Sequence, residues 1–326
     1  MARGVKRIGN SRAPVLPLTG SQAAAASAVR DGFLTGYYGE SRRRPEVRFY
    51  DTASGAPAAY ARAVAEGNDF VVGPLGRDEV DAVFARDQLP VPLLALNRGN
   101  RTPPPGSAGF SLSPEDEGIS LAQYLIERGA SRVLIVGAGE DAQRRSAEAA
   151  KAQLERRGVQ VVGSVGLGTN LATLAQDADA VLLAMKGSQA RALAPQLAGA
   201  GSGRRILVAT SQITSGTGKP AEDVALDGIA YPTERWNTRG VQGLPAQASA
   251  AARLDTAKGP AARLFAFGFD AWLVTAYLER LALSNNADIA GATGRLSLDG
   301  FGNVLARPAW SRFSGGVAVP MDDAAR

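Results

Sequence analysis

Three stretches of the sequence hold residue types that could do chemistry. In VLIVGAGEDA, Val133 to Ala142, the spacing Gly137-x-Gly139-x-x-Ala142 follows a strand-like run and opens a helix-like one, as in a dinucleotide-binding turn. A pyrophosphate would want bare N–H groups and positive potential there, but Glu140 and Asp141 bring negative charge, and the next strand ends in Gly163-Ser164 with no acid for a ribose. The stretch therefore reads as a plain strand-to-helix turn. SGTGKP, Ser215 to Pro220, ends like a phosphate loop, yet Ile213 stands where the first glycine belongs and Pro220 replaces the magnesium-binding hydroxyl. It reads as a polar loop. SPEDE, Ser113 to Glu117, supplies three carboxylates, but consecutive positions on a first helical turn diverge, so they read as charges set against the positive end of a helix dipole.

The chain has no cysteine and no histidine. Disulfides, thiol nucleophiles, Ser-His-Asp triads and the common zinc ligands go with them. No serine stands in a G-x-S-x-G elbow. No cofactor and no metal is expected. What remains is a set of loops at the carboxyl ends of candidate strands: LTGS (Leu18 to Ser21), GPLGR (Gly73 to Arg77) and LNRGN (Leu96 to Asn100). Each sets glycine or small polar residues beside a helix start, where a polar or anionic group can be received. Thr19, Ser21, Gly73, Pro74 and Asn97 are the candidates from these loops.

The elements that would position them alternate along the chain. Apolar runs too short for helices, and without the polar alternation of half-exposed strands, suit a parallel sheet covered on both faces. The first series runs Val15 to Leu18 (strand), Gln22 to Tyr38 (helix), Val47 to Tyr50 (strand), Ala56 to Glu66 (helix), Phe70 to Val72 (strand), Arg77 to Asp87 (helix) and Val91 to Leu96 (strand). NRGNRTPPPGSAG then breaks it with three prolines in a row. Ser113 as N-cap, with Pro114 at the first helical position, starts a second series of the same kind. An apolar helix over residues 262–283 and a hairpin turning at Asp299-Gly300 and Gly302-Asn303 close the chain. The fold class is α/β.

At 326 residues there is room for two ordinary domains. The net charge of +5 comes from 36 Lys and Arg against 31 Asp and Glu, so a nucleic-acid partner would need a local patch. The densest, RRRPEVR at Arg42 to Arg48, has only Phe49 and Tyr50 as aromatic neighbours and reads as a solvated loop, with an anionic partner surface as the other reading. No nucleic-acid partner is expected. No apolar run approaches a membrane span, and the N-terminus has no hydrophobic signal core.

With these residues in view, the chain resembles the LppC-type penicillin-binding protein activators, the LpoA family of outer-membrane lipoproteins. The resemblance is carried by LPLTG with AVRDGF (16–33), RFYDT (48–52), FVVGPLGRDEV (70–80), LPVPLLALN (89–97), FSLSPEDEG (110–118), FAFGFDAWLV (265–274) and GATGRLSLDGFGNV (291–304). It implies the family's C-terminal domain, a type I periplasmic-binding-protein fold: two Rossmann-like βα lobes joined by three crossovers, expected near residues 97–113, 232–245 and 284–292. Residues 13–112 and 245–286 would form the first lobe, 113–235 and 290–320 the second, with 1–12 and 321–326 as flexible tails and the terminal hairpin in the second lobe.

The resemblance further implies a non-enzymatic regulator in the periplasm, associated with the outer membrane, that activates a class A penicillin-binding protein. Membrane contact would come only through a lipid anchor. The family's signal peptide, lipidated cysteine and frequent helical-repeat domain are not in this sequence, which is expected to be a fragment or an anchorless member. The alternative is a periplasmic solute receptor holding an amino acid between the lobes. Asp270 would then meet the ammonium, and Thr19, Ser21 or Asn97 the carboxylate.

Overall fold

The computed structural model describes residues 11–41, 44–86, 88–199, 205–215, 219–283 and 287–322. Two of the residues in the arginine-rich loop, Arg42 and Arg43, lie outside them, as do 1–10, 216–218 of the phosphate-loop look-alike, 284–286 and 323–326. The chain divides into two units, one of residues 1–112 with 234–307 and one of 113–233 with 308–326.

The first unit opens with β1 (Ser11–Leu16), α1 (Ala23–Gly39), β2 (Glu46–Val47), β3 (Tyr50–Asp51), α2 (Ala56–Ala65), β4 (Val71–Val72), α3 (Arg77–Phe84), β5 (Leu93–Ala95) and β6 (Ala108–Phe110). β1 starts earlier than its apolar run suggests. Ser11 and Arg12 pair with Glu46 and Val47, and Ser11 also holds Asp69 through its N–H and hydroxyl, so residues expected in a flexible tail are tied into the sheet. The strands lie in the order β2 and β3, β1, β4, β5, β6, all parallel. β6 was hidden in the proline-rich stretch. Its strand character comes from pairing with β5 rather than from an apolar run.

The second unit begins at α4 (Pro114–Glu127) and continues through β7 (Arg132–Gly137), α5 (Asp141–Arg156), β8 (Gln160–Gly166), α6 (Leu171–Leu174), β9 (Ala180–Ala184), α7 (Gly187–Gly199), β10 (Ile206–Ala209), α8 (Pro220–Asp223) and β11 (Ala230–Thr233). Ser113 caps α4, its Oγ accepting from the Asp116 N–H at 3.1 Å. Arg145 on α5 reaches Glu115 with a two-pronged bond, Nε to Oε1 at 2.7 Å and Nη2 to Oε2 at 2.8 Å, which fixes α4 against α5. The strand order here is β8, β7, β9, β10, β11, again parallel.

Re-entering the first unit, the chain forms α9 (Arg235–Arg239), α10 (Gln247–Ala251), α11 (Ala261–Leu283), β12 (Asp288–Ala290), β13 (Gly294–Leu298) and β14 (Asn303–Ser314), and ends with β15 (Val317–Pro320). α11 is long and apolar enough to cross a membrane by length and composition, but it is a core helix: Phe265, Phe267, Phe269, Ala271 and Val274 are all buried. It packs on α1 with little between them. Gly32 of α1 faces the Phe265 carbonyl, and Gly268 of α11 faces the Val29 backbone. Around that crossing Val29, Phe33, Phe267, Trp272 and Val274 form one apolar cluster with Leu16, Phe70, Val72 and Phe110.

The last passage between units differs from the expectation. It falls at 307/308, inside β14, and not in 284–292. The hairpin of β13 and early β14 accordingly belongs to the first unit: Asn303 and Val304 pair with Gly109 and Phe110, and Leu296 and Val304 join the first unit's core. Later β14 residues pair with β11 and β15 in the second unit. Residue 321 is no loose tail either, since the Met321 N–H donates to the Trp310 carbonyl at 2.8 Å.

Candidate functional site

In the first unit the strand order runs outward from β1 in both directions, so the loops after β1 and β4 diverge at the point where open α/β sheets take ligands. The structure brings five of the six candidates to this carboxyl end. Thr19 and Ser21 are exposed in the loop after β1, Gly73 and Pro74 are buried just past β4, and Asn97 is half-buried past β5.

The loops are held by one another. Asp51 at the end of β3 accepts from the Thr19 hydroxyl at 2.7 Å, the Leu18 N–H at 3.1 Å and the Ala53 N–H at 3.1 Å. Those bonds hold its carboxyl below the usual aspartate range, with the Thr19 hydroxyl as the largest cause. Gly73 donates its N–H to the Leu94 carbonyl at 2.8 Å, and the Pro74 carbonyl accepts from the Leu96 N–H at 3.0 Å. Asn97 spends its amide on the Leu75 carbonyl (2.8 Å) and accepts from the Arg98 N–H (2.9 Å). Asp81 accepts from Asn100 twice, at 2.6 and 2.8 Å. Much of the hydrogen-bonding capacity that these residue types offer a ligand is thus used inside the protein. Asp51 and Asp81 were missed as its organisers; the acid closing the RFYDT run was the available signal.

Asp270 does not join this set. It is fully buried on α11 and receives three hydrogen bonds from the turn after β12: the Ala292 N–H to Oδ1 at 2.5 Å, and the Thr293 N–H and hydroxyl to Oδ2 at 2.7 and 2.5 Å. The neighbouring Gly291 leaves no room for a side chain, because a Cβ there would come within 2.6 Å of Oδ1. The carboxylate is a tie between α11 and the turn, so its expected part in lining a cleft and meeting an ammonium is corrected. It was singled out because an amino-acid receptor needs an acid to meet the ammonium.

Burial pushes Asp270 up to about 7, against the pull of its three donors. An unfolded aspartate titrates near ~3.9. The folded state therefore holds the proton more tightly between these values, and this side chain's contribution to stability is fully present at low pH and lost as the pH rises through about 7. Replacing Asp270→Asn is expected to remove that slope, because an amide does not titrate in this range. Urea melts of both proteins from acid to neutral pH test this: the stability advantage of the parent should shrink as pH rises, and a growing advantage would refute it.

The second unit has its own divergence between β7 and β9. The turn after β7, with Gly137 and Gly139, meets the loop after β9 through an ion pair, Lys186 Nζ to Glu140 Oε1 at 2.7 Å. Asp141 is taken by Arg144 at 2.6 Å. A pyrophosphate would have to displace both acids, in keeping with the reading of this stretch as an ordinary turn.

A parallel sheet with its strand order reversing at the first strand, occurring in each of two units of one chain, is the fold of the type I periplasmic binding proteins. The LpoA C-domain from Haemophilus influenzae, described as a regulator of PBP1A, matches with a TM-score of 0.81 at 21% identity, over 96% of this chain and 100% of that one. The leucine-binding protein LivK from Thermotoga maritima matches with a TM-score of 0.54 at 18% identity, over 96% of this chain and 97% of that one. More particularly, the chain belongs to the LppC family, whose model, "LppC putative lipoprotein", matches residues 9–162 and 152–316. A curated relative, the penicillin-binding protein activator LpoA of Klebsiella pneumoniae, is 26% identical over 84% of this chain and 44% of its own length. The chain spans about half or less of the length of the curated relatives it matches.

Proposed function

We propose that this chain binds a class A penicillin-binding protein in the cell envelope and raises its rate of peptidoglycan synthesis, supplying no catalytic residue of its own. The observation that carries the reading is membership of the LppC family over residues 9–316, with relatives named as penicillin-binding protein activators. The absence of His and Cys from the sequence, and the internally paired acids at both strand-order reversals, support a binding role. A periplasmic location, outer-membrane-associated as in the lipoprotein family, goes with it.

Activation of this kind requires that the chain bind the working conformation of the synthase more tightly than the resting one, since equal affinity shifts nothing. The experiment measures glycan polymerisation and peptide crosslinking by a purified class A penicillin-binding protein with and without this chain. A severalfold rise in rate is expected. With a net charge of +5, the contact should also weaken as salt screens exposed charges. An unchanged rate, together with calorimetric binding of one amino acid from a panel, would overturn the activator reading in favour of a solute receptor. That alternative has lost the ammonium partner it needed, because Asp270 is closed into the core.

A further inference from the structure

The C-terminal end of α1 carries an aromatic series running from core to surface. Phe33 packs edge-on against Trp272 at 5.5 Å, Trp272 against Tyr37 at 5.4 Å, and Tyr37 against Tyr38 at 5.0 Å. Trp272 is buried and Tyr37 half-buried, while Tyr38 is 68% exposed. At the outer end the guanidinium of Arg44 lies over both tyrosine rings, at 5.3 and 5.5 Å from their centres.

Two features set this cluster apart from a scattered surface aromatic. Its geometry is fixed before any partner arrives, since each ring is braced by the next back to the core, and a stacked guanidinium keeps its edge donors free for a carboxylate. Secondly, Arg44 makes no hydrogen bond or ion pair with another described residue. Two nearby acids along the chain are engaged elsewhere: Glu46 takes Arg48 at 2.7 Å, and Asp51 takes the Thr19 hydroxyl at 2.7 Å. The charge of Arg44 is therefore available outward. Tyrosine, tryptophan and arginine are also the residue types that dominate binding energy at protein interfaces.

We propose that Tyr37, Tyr38 and Arg44 form the contact by which this chain docks a carboxylate-bearing surface of its protein partner. A partner Asp or Glu takes the edge donors of Arg44, and the exposed face of Tyr38 is covered by the apolar surface around that acid. The inference rests on the proposed function, in which the partner is a class A penicillin-binding protein. The tyrosines contribute preorganised apolar area and the arginine contributes direction and charge selection.

The test uses the full chain and the synthase's periplasmic part, measuring affinity and synthase rate together for Arg44→Glu, Arg44→Lys, Tyr38→Ala and the control Arg157→Glu. Arg157 is an exposed residue of the second unit, just past the end of α5. Arg44→Glu and Tyr38→Ala should each weaken binding about tenfold or more, Arg44→Lys less, because it keeps the charge and loses the planar stack. Arg157→Glu should stay within about twofold. Thermal melts of the variants should overlay the parent's, since the two mutated side chains are exposed. If the parent stimulates the synthase while Arg44→Glu and Tyr38→Ala behave like it, the docking surface is wrong and the function stands. A parent chain that neither binds nor stimulates sinks both. Loss of binding by Arg44→Glu to anionic lipid vesicles or to RNA, with synthase binding intact, would also overturn the proposal.

Discussion

Gly32→Leu should leave the first unit unable to form its central helix pair. A Cβ at position 32 would overlap the Phe265 carbonyl and come within 2.9 Å of the Phe269 N–H, both of them backbone atoms of α11. Backbone in the middle of a buried helix cannot swing aside as the far end of a side chain can, so the two helices would have to separate. Separation would open the contacts of Val29, Phe33, Phe267 and Trp272 together, and Gly36, which lies within 2.5 Å of the Trp272 ring if given a Cβ, shows how little slack the crossing has. Overpacking alone costs about 1–3 kcal/mol, and loss of the surrounding packing brings the expected total above ~4 kcal/mol. Against a domain stability of about 5–15 kcal/mol that is enough to leave the unit partly unfolded at 37 °C. Urea melts decide it, and a midpoint equal to the parent's would refute the close approach.

Gly73→Val should be nearly as severe for two separable reasons. Gly73 has φ of +110°, which a β-branched residue rarely adopts, and its Cβ would overlap the Val15 carbonyl in the adjacent β1. Strain of this kind costs roughly 1–3 kcal/mol, and the overlap adds to it, giving more than ~3 kcal/mol in all. Gly67→Ala is the control, because Gly67 also has a positive φ, +82°, but open space around its Cβ position. It should lose only about 1 kcal/mol. Equal losses for Gly73→Ala and Gly67→Ala would show that the approach to Val15 does not matter. A loss confined to position 73 would also be read in the neighbouring loops, whose bonds to Leu94 and Leu96 depend on that turn.

The parts of the fold that were legible in the sequence were those written in short range. Ser113, Pro114 and the acids after them announced the start of α4, and the Ser113 cap bond is formed as the spacing implied. The apolar runs at 70–72 and 91–96 marked β4 and β5, although the ladders themselves are only two and three residues long. β6, with Ala108-Gly109-Phe110, was not legible, because its strand character is conferred by neighbours and its own residues are small. The last passage between units was misplaced for a related reason: it lies within an unbroken strand, where no turn residue marks it. Resemblance supplied the two-lobe arrangement that periodicity alone left as two similar halves.

For the candidate site, residue type was visible and pairing was not. Thr19 was picked out, but its partner Asp51 stands 32 residues away, and only the fold brings them together. Asp270 was picked out as the acid an amino-acid receptor would need, and its partners, 22 and 23 residues on, turn it from a ligand contact into a structural tie. Of the Tyr37–Tyr38–Arg44 cluster only the arginine-rich loop was visible, and its aromatic neighbours were read as Phe49 and Tyr50 alone. What could not be read was that one arginine lies over both rings.

The pairing of α1 with α11 has a consequence for how the chain is made. Val29 and Gly268 touch in the finished protein but leave the ribosome about 240 residues apart, which at roughly 5–20 residues per second is a delay on the order of 10–50 s. Throughout that interval Val29 and Phe33 lack their α11 partners Phe267 and Trp272, and α1 is left without the helix that packs along it. A nascent chain with such high contact order exposes sticky surface while it waits. Its yield should therefore depend on holdase chaperones more steeply than its finished stability would suggest. Transplanting α11 ahead of β1 by circular permutation would shorten the wait.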